Sequence, residues 1–564
     1  MLDSANKKLL GRIVLVAVVA VTLVVAPYTL LDPINLPKLS TLAFVAVIAL
    51  SVMLPVIKKL FRSEYRSLAI LVFLFVFQII LVLLFSGANM GAQFYGTFSR
   101  NTGALAYISL AILLLSSSLV SDKEFLKRFV SVTLIVGAFL IFYGNIQYLG
   151  LEPFPYTNAY TVNAPTGTFG NSNFQSAFMG LIATVAFAMA LNSAYTILVR
   201  IGLAVMGFGA VVVIYETLSE QGYLNLIAGV GVIAMVWLFM SKRKVIGLAV
   251  AGLGVIGGGL VFLALINQGP FAQYIYNSSI IARGYYWKAA LKMLTDHPVF
   301  GVGMDGYINW YRRSRPADYF ENGFLSYSDS AHNVYLDIAS SGGFALLGIY
   351  IAIAVLVILS IVRVVQRNDG FDPFFVAIVG AWAAYHVQSL VSINQLGLAI
   401  WGWVLSGLII GYEINTRVKD VSKDAATKIK PTGKKARAST QPLSSKAVLS
   451  LFAGVVMASL IAGPLYFVNS NFYTAIRSSD IKAIESAAQQ RPKDERRLYA
   501  LAGIFRDNQA DVQAVTVLRD ATKRYPDSFD LWMLWTTIPT ASPSDIASAK
   551  AQLKRLDPFN PDLK

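Results

Sequence analysis

The sequence predicts an all-α protein that crosses a membrane many times, and three observations predict it. Only 14% of the 564 residues are charged, where a soluble chain carries about 25%. Apolar runs recur at the length a bilayer core requires, about 20 residues each. The connections between runs alternate in character, every second one being rich in Lys and Arg. Backbone groups in hydrocarbon must be satisfied within their own segment, so runs of this kind are helices.

Thirteen spans follow in order, at 11–29, 40–57, 67–86, 103–120, 129–148, 174–194, 198–215, 223–240, 245–267, 332–362, 374–391, 396–412 and 447–468. The first lacks a small-residue cleavage site and is followed at once by another span, so it reads as a retained helix. With the N-terminus inside, the cytoplasmic connections are basic: Lys7, Lys8 and Arg12; Lys58, Lys59, Arg62 and Arg66; Lys123, Lys127 and Arg128; Arg200; Lys242, Arg243 and Lys244; Arg363 and Arg367. This pattern accounts for the net charge of +16 without a nucleic-acid partner. The turn 30–39, the loops 87–102 and 149–173, the segment 268–331 and everything after 468 then lie outside.

Segment 413–446, with Lys428, Lys430, Lys434, Lys435 and Arg437 among Pro, Gly and Ser, reads as a basic flexible cytoplasmic linker. Beyond the thirteenth span, Arg491-Pro492, Tyr525-Pro526 and Asp557-Pro558 recur every 34 and then 32 residues. A period near 34 closed by Pro suggests tetratricopeptide-like helix pairs over 469–564. About two units fall short of the three usually needed for independent stability. The tail is therefore expected to pack on the last span or the long outer loop, or to bind a protein partner.

Candidate chemistry gathers outside. Residues 280–294 read as an amphipathic helix with Asn277, Ser278 or Ser279 as its cap and Arg283 near its first turn. The helix dipole disfavours a cation there unless an anion binds; the bland reading of Arg283 is an interfacial side chain. His332 stands where this polar stretch meets the tenth span, with Asp329 or Ser330 as cap. A helix N-terminus keeps an imidazole neutral and able to take a proton, although a His-Asn pair there also serves as a cap. His297 reads as helix termination, and His386, inside a span, as an interhelical hydrogen bond or a functional polar group. Arg100, Arg312, Arg313 and Arg315 are further cations on the outer side, and the turn 165–174, with Asn171, is either a capping turn or a polar wall. No HExxH, DxD, carboxylate cluster or Walker sequence occurs, and with no cysteine no thiolate chemistry is available. No cofactor and no metal are expected.

Several stretches, taken in order, resemble the bacterial O-antigen ligase-like superfamily: Arg283-(x)3-Trp287, Asp296-His297-Pro298-Val299-Phe300-Gly301-Val302-Gly303, and Ala331-His332-Asn333-Val334-Tyr335-Leu336 with Gly342-Gly343. Asp32-Pro33 with Pro37-Lys38, the Phe98 to Gly103 turn and Gly167-Thr168-Phe169-Gly170-Asn171 extend the likeness over residues 10–412. The resemblance implies a GT-C-like bundle of about 12 transmembrane helices, here with one extra span and a tail. It implies transfer of a glycan from a polyprenyl-pyrophosphate carrier to a lipid or protein acceptor outside the bacterial inner membrane, without a metal ion. By motif, His332 takes the place of the histidine that activates the acceptor hydroxyl, and Arg283 that of an arginine facing the donor pyrophosphate. Asp329, Asn333, Trp287 and Asn171 are supporting residues. Where the family carries Ser-Arg-Gly, this chain has Ser219-Glu220-Gln221-Gly222; Arg100 or one of Arg312, Arg313 and Arg315 is the expected substitute on the pyrophosphate.

Arginine forks can stabilise the charge left on pyrophosphate in place of a divalent cation, and single displacement would invert the anomeric centre. A polysaccharide polymerase joining lipid-linked repeat units is the nearest alternative reading. A non-enzymatic lipid or glycan transporter is a second, and would instead place paired ionisable residues near the bilayer midplane.

Overall fold

The structure, a computed structural model, describes residues 2–152, 164–324, 327–367, 371–426 and 445–563. A helix stands at each of the thirteen expected positions: Ser4–Leu23, Asn35–Met53, Arg66–Phe85, Ala104–Val120, Lys123–Tyr148, Ser172–Ala190, Ile197–Glu216, Gln221–Met240, Lys244–Leu265, Val334–Arg367, Pro373–Ser389, Leu396–Ala426 and Ser445–Ser478. Among the described residues, ten helices are long and apolar enough to cross a membrane. Of the remaining expected spans, Ala104–Val120 and Pro373–Ser389 have 17 residues each, and Ser4–Leu23 carries Lys7, Lys8 and Arg12. The protein is an all-α polytopic membrane protein, with no strand among the described residues.

Helices pack closely where small residues let backbones approach, the usual means of association in lipid. A side chain at Gly407 would stand 2.1 Å from the Leu114 carbonyl oxygen, and there Ser117 donates to the Val404 carbonyl at 3.1 Å. One end of the bundle is tied by ion pairs between basic connections and carboxylates: Lys7 with Asp122 at 2.8 Å, Arg417 with Glu64 at 3.0 Å and Arg367 with Glu413 at 4.0 Å. The long loop, the 96–103 turn and the tail gather at the opposite end.

Two boundaries differ from expectation. The helix Leu396–Ala426 runs well past 412, so residues 413–426 of the expected linker are helical. The basic run from Lys428 to Arg437 lies outside the described residues. The last long helix continues to Ser478, through Pro464; its Phe472 and Ala475 sit in the tail's own core, so the tail grows out of a continuous helix.

The tail itself holds helices Ile481–Gln489, Glu495–Asp507, Asp511–Arg524, Phe529–Trp535 and Pro543–Leu556. Asp480, Asp494, Ser528 and Ser542 cap four of them. Neighbouring helices pack in pairs around Leu498, Leu501, Phe505, Leu518, Leu531 and Trp535, and Leu31 and Ala92 from the turn 30–39 and the loop 87–102 join that core.

Candidate active site

The tenth span begins at Val334, and its cap is Asn333, whose side-chain oxygen accepts from the Tyr335 and Leu336 amides at 3.0 and 3.1 Å. Asp329 and Ser330, the expected caps, do not hold that position, because the chain turns sharply between them and the helix. His332 adopts φ +50°, an uncommon left-handed conformation for a residue with a side chain. Its amide donates to the Ser330 hydroxyl at 2.9 Å. The Ala331 amide donates to the Asp337 carboxylate at 2.7 Å, which pins the turn to the helix it precedes.

The half-buried His332 ring lies against Tyr286, with centroids 5.4 Å apart. Loss of hydration pulls its pKa down to about 4; Asp329 opposes the shift, and the Arg283 and Arg100 charges add to it. The imidazole is therefore neutral at physiological pH, free to accept a proton.

Arg100 arrives on a turn built around Asp305. That carboxylate accepts from the Thr97 amide at 2.7 Å and its hydroxyl at 3.1 Å, and from the Thr102 amide at 3.2 Å and its hydroxyl at 2.8 Å. The turn needs positive φ at Gly96, Ser99 and Asn101, and it leaves Arg100 buried with Nη1 3.8 Å from Asp329. Burial works against the guanidinium charge, but Asp329, Asp337 and Asp305 outweigh it and raise the pKa, so the group stays charged.

Arg283 lies on the helix Ser278–Asp296, capped by Asn277, one of the three expected candidates. It is half-buried, and loss of hydration lowers its pKa. The Nε atoms of Arg100 and Arg283 and the indole nitrogen of Trp287 are buried with no hydrogen-bond partner among the described residues. These are donors suited to an anion, and Trp287 shares a helix with Arg283.

The motif after this helix has a structural task. At Gly343 the tenth span breaks, with φ +73° and ψ −174°. The Phe344 amide donates to the Pro298 carbonyl at 2.9 Å and the Val302 amide to that of Ser340 at 2.8 Å. A Cβ at Gly301 would stand 2.3 Å from the Ser340 oxygen, and one at Gly343 2.5 Å from the Pro298 oxygen. The Pro298–Val302 strip thus seats in the break, fixing the Arg283 helix relative to the span that His332 precedes.

Sequence reasoning assigned no role to Tyr286, Asp305 or Asp337. Asp337, four residues past the cap, was the most legible of them.

The structure commits Arg312, Arg313 and Arg315, expected on the pyrophosphate, to the tail. Arg315 Nη2 donates to both oxygens of Asp557 at 2.7 Å. Arg313 pairs with Asp527 at 2.9 Å, and Arg312 lies 4.0 Å from Asp530. The reason is electrostatic: each cation meets a carboxylate at a turn or helix start of the tail. Asn171 caps Ser172–Ala190, accepting from the Asn173 amide at 2.8 Å. Glu220 is exposed at the start of the eighth span. His297 ends the Arg283 helix and packs on Trp310 at 4.5 Å. His386 bonds the Tyr335 hydroxyl at 2.8 Å between helices.

Residues 203–351 match the O-antigen ligase family. That match supports the resemblance to the O-antigen ligase-like superfamily. The match takes in Arg283, the loop and His332 and leaves Arg100 and the tail outside it. A search of curated proteins returned no match. In general terms the family match supports a membrane glycosyltransferase of the O-antigen ligase or polymerase type.

Proposed function

We propose that the protein transfers a glycan from a polyprenyl-pyrophosphate carrier to a hydroxyl of a lipid or protein acceptor. The site faces the outer side of the bacterial cytoplasmic membrane, with the N-terminus inside and the tail outside. The single observation that supports this most is the gathering of Arg100, Arg283, Asp329 and the neutral His332 at one end of the bundle, opposite the basic connections.

Arg100 and Arg283 take the two phosphates, their free N–H donors aimed at oxygens where charge grows in the transition state. His332 accepts the proton of the acceptor hydroxyl as its oxygen bonds to the anomeric carbon. The bond from that carbon to the pyrophosphate oxygen breaks, polyprenyl pyrophosphate leaves, and the configuration inverts. His332 then returns its proton to water. No step calls for a metal ion.

A bound pyrophosphate also offsets the two guanidinium charges that depress the His332 pKa, so donor binding raises the basicity of the ring when it is needed. The carrier's hydrocarbon chain stays in lipid along the bundle, and the free surface of the tail is suited to a protein partner. Nothing in the arrangement of residues favours polymerisation over ligation.

The test is purified protein in vesicles with a defined polyprenyl-pyrophosphate oligosaccharide and candidate acceptors. Product carrying one whole glycan, lost in His332→Ala with the fold retained, supports the reading. Products of graded length from donor alone would instead indicate a polymerase. Movement of intact donor across the vesicle, without any bond broken, would indicate a transporter.

A further inference from the structure

The Arg312–Arg315 row lies between the tail and the helix that carries Arg283, and two chains of contact lead inward from it. In the first, Asp557, fully buried at the end of the last tail helix, receives Arg315 Nη2 at 2.7 Å on each oxygen. The Arg315 guanidinium lies 4.3 Å from the Phe320 ring, 4.8 Å from Tyr319 and 5.9 Å from Tyr311. Tyr311 meets Tyr286 edge-on at 5.6 Å, and Tyr286 lies against the His332 ring at 5.4 Å. Tyr307, stacked on Tyr311, donates its hydroxyl to the Tyr286 carbonyl at 2.8 Å.

In the second chain, Asp527 pairs with Arg313 at 2.9 Å. Arg313 covers the Trp310 ring at 3.7 Å, and Trp310 packs on His297 at 4.5 Å. His297 ends the same helix. Both routes therefore converge on Ser278–Asp296, which bears Arg283 and Tyr286.

We propose that the tail is a positioning element for the active site: Asp557 through Arg315, and Asp527 through Arg313, hold the Arg283–Tyr286 helix against His332. Arg315 and Arg313 are positioning residues, since neither reaches the reacting atoms. The physical basis is the cost of leaving a buried charge unpaired. The loop arginines are stable in their places only while the tail aspartates are docked, so loop geometry and tail docking form one unit. The two acidic anchors flank successive recurring prolines on opposite sides, Asp527 after Pro526 and Asp557 before Pro558. The inference rests on His332 as the catalytic base.

The test needs no substrate. The chain has 3 histidines, so the His332 ring resonance of the full-length protein is assigned by its loss in His332→Gln. The groups that face this ring are Asp329, Arg283 and Arg100 as charges and Tyr286 as its packing neighbour. In the wild type it titrates near 4. In Asp557→Asn the relay slackens, water reaches the ring, and the titration moves up by about half a unit or more towards the free value of about 6.5.

If Asp557→Asn does not fold, Asp527→Asn at the partly exposed rim of the same contact takes its place, with the same expected direction. Asp545→Asn, whose partner Arg519 is also in the tail, leaves the titration where it was. Identical titration in the wild type and the Asp557 or Asp527 variant overturns the proposal. So does an equal shift in Asp545→Asn, which would mean general loosening of the tail. Inorganic pyrophosphate separates this from the catalytic reading. A His332 signal that ignores pyrophosphate in the wild type counts against the site, whereas the comparison between variants bears on the relay alone.

Discussion

A neutral His332 sets a specific pH dependence. With the ring held at about 4, lowering the pH from 7.5 to 5.5 leaves about 97% of it neutral; a histidine at its free value of about 6.5 would be only about 9% neutral at pH 5.5. The account therefore expects kcat/KM, which reports the free enzyme, to fall by less than about a tenth over that interval, where an unperturbed base would cost about tenfold. The acid limb of kcat, which reports the loaded enzyme, should lie at higher pH, because bound pyrophosphate offsets Arg100 and Arg283. The assay is release of polyprenyl pyrophosphate from a defined lipid-linked glycan by purified protein. An acid limb of kcat/KM near pH 6.5, or a limb of kcat below that of kcat/KM, would refute the reasoning.

The same shift reaches stability. His332 binds a proton less readily folded than unfolded, so the folded state loses ground as pH falls from about 6.5 to about 4. The ring contributes at most about 3 kcal/mol, reduced by its partial exposure; thermal unfolding of His332→Gln should be correspondingly less pH-dependent there. Gly343→Ala forces a side chain into φ +73° and against the Pro298 oxygen, so unfolding should be easier by about 1–3 kcal/mol, and transfer should fall with it. His386→Gln should leave turnover within about fivefold, since its partner is the Tyr335 hydroxyl, a bond worth about 1 kcal/mol. In this cysteine-free chain, Tyr327→Cys should react with an impermeant reagent from outside the cell and Lys242→Cys only after permeabilisation; the reverse pattern would invert the topology.

The spans were legible because hydrocarbon leaves a chain few options, and each apolar run became a helix. Arg100, Arg283 and His332 were legible as separate outer cations and a lone histidine, but not as neighbours. Their meeting depends on the Asp305 turn and on the break at Gly343, neither of which has a periodic signature. The contacts of the arginine row with the tail were not legible, because Arg315 meets Asp557 from 242 residues away, in a tail whose packing side the sequence did not settle. The cap lies at Asn333 rather than at Asp329 or Ser330 because a left-handed His332 moves the helix start, and local propensity does not show that.

The most direct measurement compares Arg283→Gln with His332→Gln for equilibrium binding of polyprenyl pyrophosphate and for glycan transfer under the same conditions. The account predicts that Arg283→Gln loses both, while His332→Gln binds at least as well as the wild type and turns over about 10²–10⁴ more slowly. Transfer by His332→Gln at the wild-type rate would contradict it.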